Sequence, residues 1–283
     1  MRRAITALLA LSLVACGGEP RVRVATKNFT EQYILGEIVA QHLEHRLGHV
    51  SRRFGLGGTL LTHQAMVAGE IDVYPEYTGT ALTAVLKQKP VNDPAKALAI
   101  VRRGYAPLGL EWLDPFGFEN TFAMVIRNDD TRITTLSDAA RAQAWKIGAG
   151  YEFVRREDGL PGLRQAYGLR LAGAPKTMDL GLLYQALEKH QVDMAAGNST
   201  DGLLAVMPVT VLKDDKHYFP PYECALVLRE EAAHQFPALR PALVELSGKI
   251  TSDTMRRLNY ELDGKHRPAR EIARDFLRSV GLN

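Results

Sequence analysis

Short apolar stretches of strand length alternate with longer stretches of helical period along most of this chain, and this alternation constrains its fold more than any other feature. Val22-Arg23-Val24-Ala25 reads as a strand, and from Phe29 onward Ile34, Leu35, Ile38, Val39, Leu43 and Leu47 recur at helical spacing. Asn28 followed by Glu31 has the form of a capping pair, which starts that helix at about Phe29. A strand over 50–54 runs into Gly55-Leu56-Gly57-Gly58-Thr59. The stretch 60–68 then reads as a helix closed by Gly69, and Ile71-Asp72-Val73-Tyr74 as the next strand. A β-α-β-α order predicts a mainly parallel sheet with helical crossovers, and such sheets take ligands at the carboxyl ends of their strands. Lys27, Tyr77 and Thr80 fall on that rim.

The second half repeats the pattern. Strands are predicted over 122–126, 146–149 and 192–196, and helices over 136–144 and 180–189. A strand over 225–228 and helices near 239–249, 253–262 and 268–279 follow. No tandem repeat or long linker interrupts the series. Two interleaved α/β lobes accommodate it better than two consecutive domains.

Residues 1–16, MRRAITALLALSLVAC, combine a basic start with an apolar run of about a dozen residues, too short to span a bilayer and of the length of a secretory leader. The end of that run, Leu13-Val14-Ala15-Cys16, resembles a bacterial lipoprotein signal. The resemblance implies cleavage after residue 15, lipidation of Cys16 and a short linker over 16–20. The chain has two cysteines, so Cys224 is then left without a partner, and an exported protein without a disulfide must be held by its core. With 46% hydrophobic and 24% charged residues, collagen-like, disordered and disulfide-scaffold classes are excluded. A formal charge of +3 with no long block of like charge leaves no electrostatic footprint for nucleic acid.

Signatures of catalysis fall short. The loop GLGGT lacks the lysine of a P-loop and the third glycine of a dinucleotide fingerprint. Gly197-Asn198-Ser199-Thr200-Asp201 departs from a nucleophile elbow at Asp201, which leaves Ser199 as a turn hydroxyl. His42, His45 and His49 share a helical spacing, but Glu44 and Arg46 between them describe a solvated face rather than a metal site. Glu70 and Glu76 flank a strand, where surface or capping roles are commoner than acid–base work. The expectation is a protein without catalytic residues, metal or cofactor.

A series of short motifs points further. Lys27-Asn28-Phe29-Thr30-Glu31-Gln32, Phe54-Gly55-Leu56-Gly57-Gly58-Thr59 and Pro75-Glu76-Tyr77-Thr78-Gly79-Thr80 are followed by Arg156-Glu157-Asp158-Gly159-Leu160-Pro161-Gly162, Ser199-Thr200-Asp201-Gly202, Pro220-Pro221-Tyr222 and Leu258-Asn259-Tyr260. In order and over nearly the whole chain beyond the leader, they resemble the substrate-binding proteins of osmoprotectant ABC importers, which take up glycine betaine, choline, carnitine and related quaternary amines. The resemblance implies a two-lobed periplasmic-binding-protein fold of the Venus-flytrap type, with residues 21–118 and 224–283 in one lobe and 119–223 in the other. It also implies an aromatic cage of Tyr77, Phe122 and Tyr222 closed by Asn120, and a carboxylate clamp of Lys27, Thr80 and Arg156. Such a division suits the ligand: a trimethylammonium head donates no hydrogen bonds and is held by aromatic faces, whereas a carboxylate calls for Lys, Arg, hydroxyls or helix N-termini.

Two positions depart from the family pattern. Phe122 stands where betaine binders often carry tyrosine, and Asn198 stands where an aromatic residue is usual, so the cage is one wall short. The implied partners are a permease, its ATPase and, through the lipid anchor, the outer face of a membrane, with the protein itself a monomer. Two alternatives stay open: another polar solute, such as an amino acid or an ergothioneine-like betaine, and a sensory rather than a transport receptor.

Overall fold

The computed structural model describes residues 21–48 and 50–282. The leader, Cys16 and His49 lie outside the described residues. The chain begins with β1 (Val22–Ala25), α1 (Thr30–Leu47), β2 (Val50–Arg53), α2 (Thr59–Val67) and β3 (Val73–Tyr77). A helical turn α3 (Thr78–Thr80) continues as a π-turn over Ala81–Val85, before α4 (Pro94–Tyr105) and β4 (Leu110–Trp112). Next come β5 (Phe122–Arg127), α5 (Leu136–Ala142), β6 (Ile147–Ala149), α6 (Tyr151–Arg155), α7 (Leu160–Tyr167), β7 (Lys176–Thr177), α8 (Leu183–Glu188), β8 (Met194–Asn198) and β9 (Val209–Val211). The chain ends in β10 (Cys224–Arg229), α9 (Glu230–Gln235), α10 (Leu239–Val244), α11 (Ser252–Asp263) and α12 (Ala269–Ser279).

The strands form two five-stranded sheets in the orders β2-β1-β3-β10-β4 and β7-β6-β8-β5-β9. The second is built wholly from chain lying between β4 and β10, so the first sheet is interrupted by the second. Glu119 and Glu223 pair as an isolated antiparallel bridge at the crossing points. The α/β architecture is the expected one, but both sheets are mixed. β1 is parallel to β2 and β3, and β6 is parallel to β7 and β8. β10 is antiparallel to both β3 and β4, and β5 to both β8 and β9.

The antiparallel strands matter for the site. A parallel strand brings its last residue to the ligand-binding rim, whereas an antiparallel one brings its first. Tyr77 ends β3 opposite Cys224, the start of β10, so Tyr222 arrives against Gly79, just past the end of β3. Asn198 ends β8 opposite Phe122, the start of β5.

Alternation along the strands feeds a core on each face of each sheet. In β10, Cys224, Leu226 and Leu228 face a cluster with Ile34, Leu35 and Ile38 of α1 and Ile272 and Phe276 of α12. Ala225 and Val227 face Tyr74, Tyr105 and Trp112. In β5, Met124 and Ile126 pack with Trp145, Phe153 and Leu163, and Ala123 and Val125 with Leu183 and Leu187. Burial on both faces explains why these strands are apolar up to their terminal arginines, Arg127 and Arg229.

Several expected boundaries shift. Pro75, Glu76 and Tyr77 belong to β3 rather than to the turn after it, and β8 runs on through Asn198. The helix expected over 180–189 is a 3₁₀ turn at Leu180–Leu182 followed by α8. The Asn28–Glu31 capping pair does not form: Phe29 occupies the cap of α1 without a side-chain bond. Glu31 turns inward instead, where four buried side chains donate to it.

Candidate ligand-binding cleft

Glu31 lies at the base of the first half of the predicted site. Its Oε1 accepts from Tyr77 Oη (2.8 Å) and Asn120 Nδ2 (2.9 Å), and its Oε2 from Thr200 Oγ1 (2.5 Å) and Asn259 Nδ2 (3.0 Å). Burial pushes the Glu31 carboxyl above its ordinary range, against the pull of these four donors. The same carboxylate thereby gathers residues from β3, from the crossing segment before β5, from the turn after β8 and from α11. Tyr77 also stacks on Phe29 at 6.3 Å between ring centroids and accepts from Gln32 Nε2.

Asp158 organises the other half. It receives a paired bond from Arg156, Nε to Oδ1 at 2.8 Å and Nη2 to Oδ2 at 2.5 Å, together with Tyr222 Oη at 2.8 Å and Thr83 Oγ1 at 2.6 Å. Burial would raise the Asp158 pKa, but the Arg156 hydrogen bond and charge outweigh it and hold the carboxylate below its usual range. Arg156 reaches across to the first-sheet unit, with Nη1 3.3 Å from Thr80 Oγ1 and Nη2 3.3 Å from Thr83 Oγ1. Its guanidinium carbon stands 5.4 Å from the centre of the Phe122 ring, within cation–π range. Phe122 in turn meets Tyr222 (5.5 Å), Phe153 (4.8 Å) and Phe219 (5.7 Å).

Lys27 follows β1, is buried, and lies 5.1 Å from the Tyr77 ring centre. Its Nζ donates to Glu76 Oε1 at 2.5 Å and to Thr59 Oγ1 at 3.1 Å. Burial raises the Glu76 carboxyl, partly offset by Lys27, and Glu76 Oε2 has no hydrogen-bond partner. Thr59, the first residue of α2, donates its N–H and its hydroxyl to Glu152 of α6 on the second-sheet unit, at 2.5 and 3.1 Å.

The predicted residues therefore converge, but each charged member of the clamp already has a carboxylate partner. Glu31, Glu76, Asp158, Phe153 and Phe219 complete the surroundings and were not predicted as site residues. Their signal was faint: Glu31, Glu76 and Asp158 sit inside the motifs of the strand-end series, next to residues whose roles were clearer. Asn198 lies at half-buried depth, its amide N–H donating to Asp201 Oδ2 at 2.8 Å. Burial raises Asp201 to about 6, with Tyr184 and the Asn198 amide pulling the other way. Ser199 Oγ accepts from the Thr121 amide, as a turn hydroxyl does. His42 is fully buried, its ring nitrogens paired with the carbonyls of Leu282 and Ala242, so it does not lie on a solvated face. Two surface hollows among the described residues, one around Met66 and His234 and one around Arg102 and Asp114, share no residue with the cleft.

Residues 20–279 match the family model described as the substrate-binding domain of ABC-type glycine betaine transport systems. The chain is 34% identical over 281 residues to the carnitine transport binding protein OpuCC of Listeria monocytogenes serotype 1/2a (strain 10403S), covering 96% of this chain and 91% of that protein. It is 36% identical over 264 residues to the ergothioneine transport permease/ergothioneine binding protein EgtU of Helicobacter pylori (strain G27). That match covers 92% of this chain but 47% of the relative, so the chain spans about half its length. A solved structure titled as a glycine betaine/carnitine/choline ABC transporter superimposes with a TM-score of 0.75 at 32% identity, covering 92% of this chain and 99% of that one. The chain belongs to the family of substrate-binding domains of ABC-type glycine betaine transport systems.

Proposed function

We propose that this protein is an extracytoplasmic receptor that captures a quaternary-ammonium solute between two lobes, 21–118 with 224–283 and 119–223, and delivers it to a permease driven by an ATPase. Cys16 carries the lipid anchor, and the receptor performs no chemistry on its ligand. Among the described residues no helix is long and apolar enough to cross a membrane. One observation carries the reading: at the facing strand ends the rings of Phe122 and Tyr222 meet at 5.5 Å between centroids, Tyr77 stands by Lys27 on the first-sheet side, and the carboxyl groups of Glu31, Glu76, Asp158 and Glu152 lie among them with Lys27 and Arg156. A permanent cation gains from aromatic faces and from a carboxylate such as Asp158, which Arg156 holds ionised, without needing to donate a hydrogen bond.

Titration calorimetry with choline, glycine betaine, carnitine, ergothioneine and a neutral amino acid tests the proposal. At least one quaternary amine binds at micromolar concentration or tighter. If none binds more tightly than millimolar, or if the amino acid alone binds, the reading fails.

A further inference from the structure

We propose that Glu152 is a specificity-determining residue, which places its own carboxylate where the clamp would otherwise hold the carboxylate of a ligand. The inference rests on the quaternary-amine reading above. Glu152 Oε1 accepts from the Thr59 amide at 2.5 Å, and Oε2 from the Thr59 hydroxyl at 3.1 Å. Oε2 also stands 3.7 Å from Arg156 Nη1, and Lys27 Nζ donates to the Thr59 hydroxyl that carries the Oε2 bond. Both cations of the predicted clamp thus converge on this one group, Arg156 directly and Lys27 through Thr59.

The seat is shaped for an anion. It lies at the first turn of the nine-residue helix α2, where free amides and the helix dipole favour negative charge. Gly58, which precedes that turn, leaves room for the carboxylate: a Cβ there would overlap Glu152 Oε1.

Three carboxylates surround the two clamp cations, and they differ in exposure. The side chains of Glu76 and Asp158 are 0% and 2% exposed, whereas that of Glu152 is 42% exposed. Glu152 alone can swing into solvent. A betaine must expel it to reach Thr59 and Arg156, whereas a choline-type alcohol binds with Glu152 in place and benefits from its charge. The residue therefore penalises carboxylate-bearing amines relative to carboxylate-free ones.

The test is calorimetry of the full binding domain and of Glu152→Ala and Glu152→Gln with choline and glycine betaine. An anion seat at a helix start is worth enough that the ratio of betaine to choline affinity rises about tenfold in Glu152→Ala. Glu152→Gln, which keeps the side chain's size, moves the ratio in the same direction. An unchanged ratio, or an equal weakening of both ligands, overturns the inference while leaving the quaternary-amine reading intact, because Glu152 would then act only as a tie between lobes. Binding of neither amine to the unaltered protein overturns both.

Discussion

Phe122 decides the character of the aromatic wall at the scale of a single ring. It is half-buried, touches Phe153, Phe219 and Tyr222, and lies under the Arg156 guanidinium. A face against a cation contributes about 0.5–2 kcal/mol, so Phe122→Ala weakens binding of the best quaternary amine about tenfold, whereas Phe122→Tyr retains the ring and most of the affinity. Calorimetry on both variants, with circular dichroism to confirm folding, checks this; full affinity in Phe122→Ala places the cage elsewhere. Lys27, Arg156, Tyr77 and Tyr222 were legible in the sequence as candidates for the site. Their partners were unevenly legible. An ion pair of Arg156 with Asp158, two residues on, is open to a local reading, though as a surface pair rather than the buried one that forms, whereas no local motif shows that Glu76, 49 residues away, pairs with Lys27.

At the scale of elements, Asp72 ties three strands of the first sheet. It leads into β3, accepts from Arg23 of β1 through the backbone amide (2.8 Å), Nε (2.9 Å) and Nη2 (2.7 Å), and accepts from Arg229 of β10 at 3.2 and 2.6 Å. Burial pushes its pKa up, but the bonds from Arg23 and Arg229 prevail and hold it below the ordinary aspartate value of 3.8. A depressed folded-state pKa means that the stabilisation is complete above the unfolded value and is lost as pH falls through the folded one. Asp72→Asn therefore costs about 3 kcal/mol at pH 7, and the gap between variant and unaltered protein narrows below about pH 4. Urea midpoints at pH 7, 4 and about 3 measure it, and a gap that stays constant down to about pH 3 excludes the charge as its source. Element starts were unevenly legible. Asp93-Pro94 is a strong start signal, with Asp93 accepting from the Lys96 amide and Pro94 in the first turn, yet the unbroken apolar run over 97–101 masks the helical period of α4.

At the scale of the whole molecule, the lobes meet through a backbone contact that leaves no space for a side chain. A Cβ on Gly202 would overlap the backbone of Asn259 and Tyr260 in α11. Around that point Asn259 Nδ2 donates to the Thr200 carbonyl and Arg256 Nε to the Ser199 carbonyl, both at 2.9 Å. Backbone cannot yield as a flexible side chain does, so Gly202→Val holds the lobes apart and weakens ligand binding about tenfold or more. Small-angle scattering with ligand is expected to show a larger radius of gyration for the variant; unchanged scattering and affinity show that this contact is not needed for closure. By itself the sequence determined the α/β class, the alternation of elements and a set of candidate rim residues, because period, strand-end position and motif are local properties. Only the tertiary structure decided that both sheets are mixed, that Phe122 arrives as the first residue of β5 and Tyr222 two residues ahead of β10, and that Glu31, Glu76, Asp158 and Glu152 face the candidate cleft. Those outcomes depend on which strands pair and which lobe surfaces meet, and pairing between residues far apart in the chain leaves no local mark.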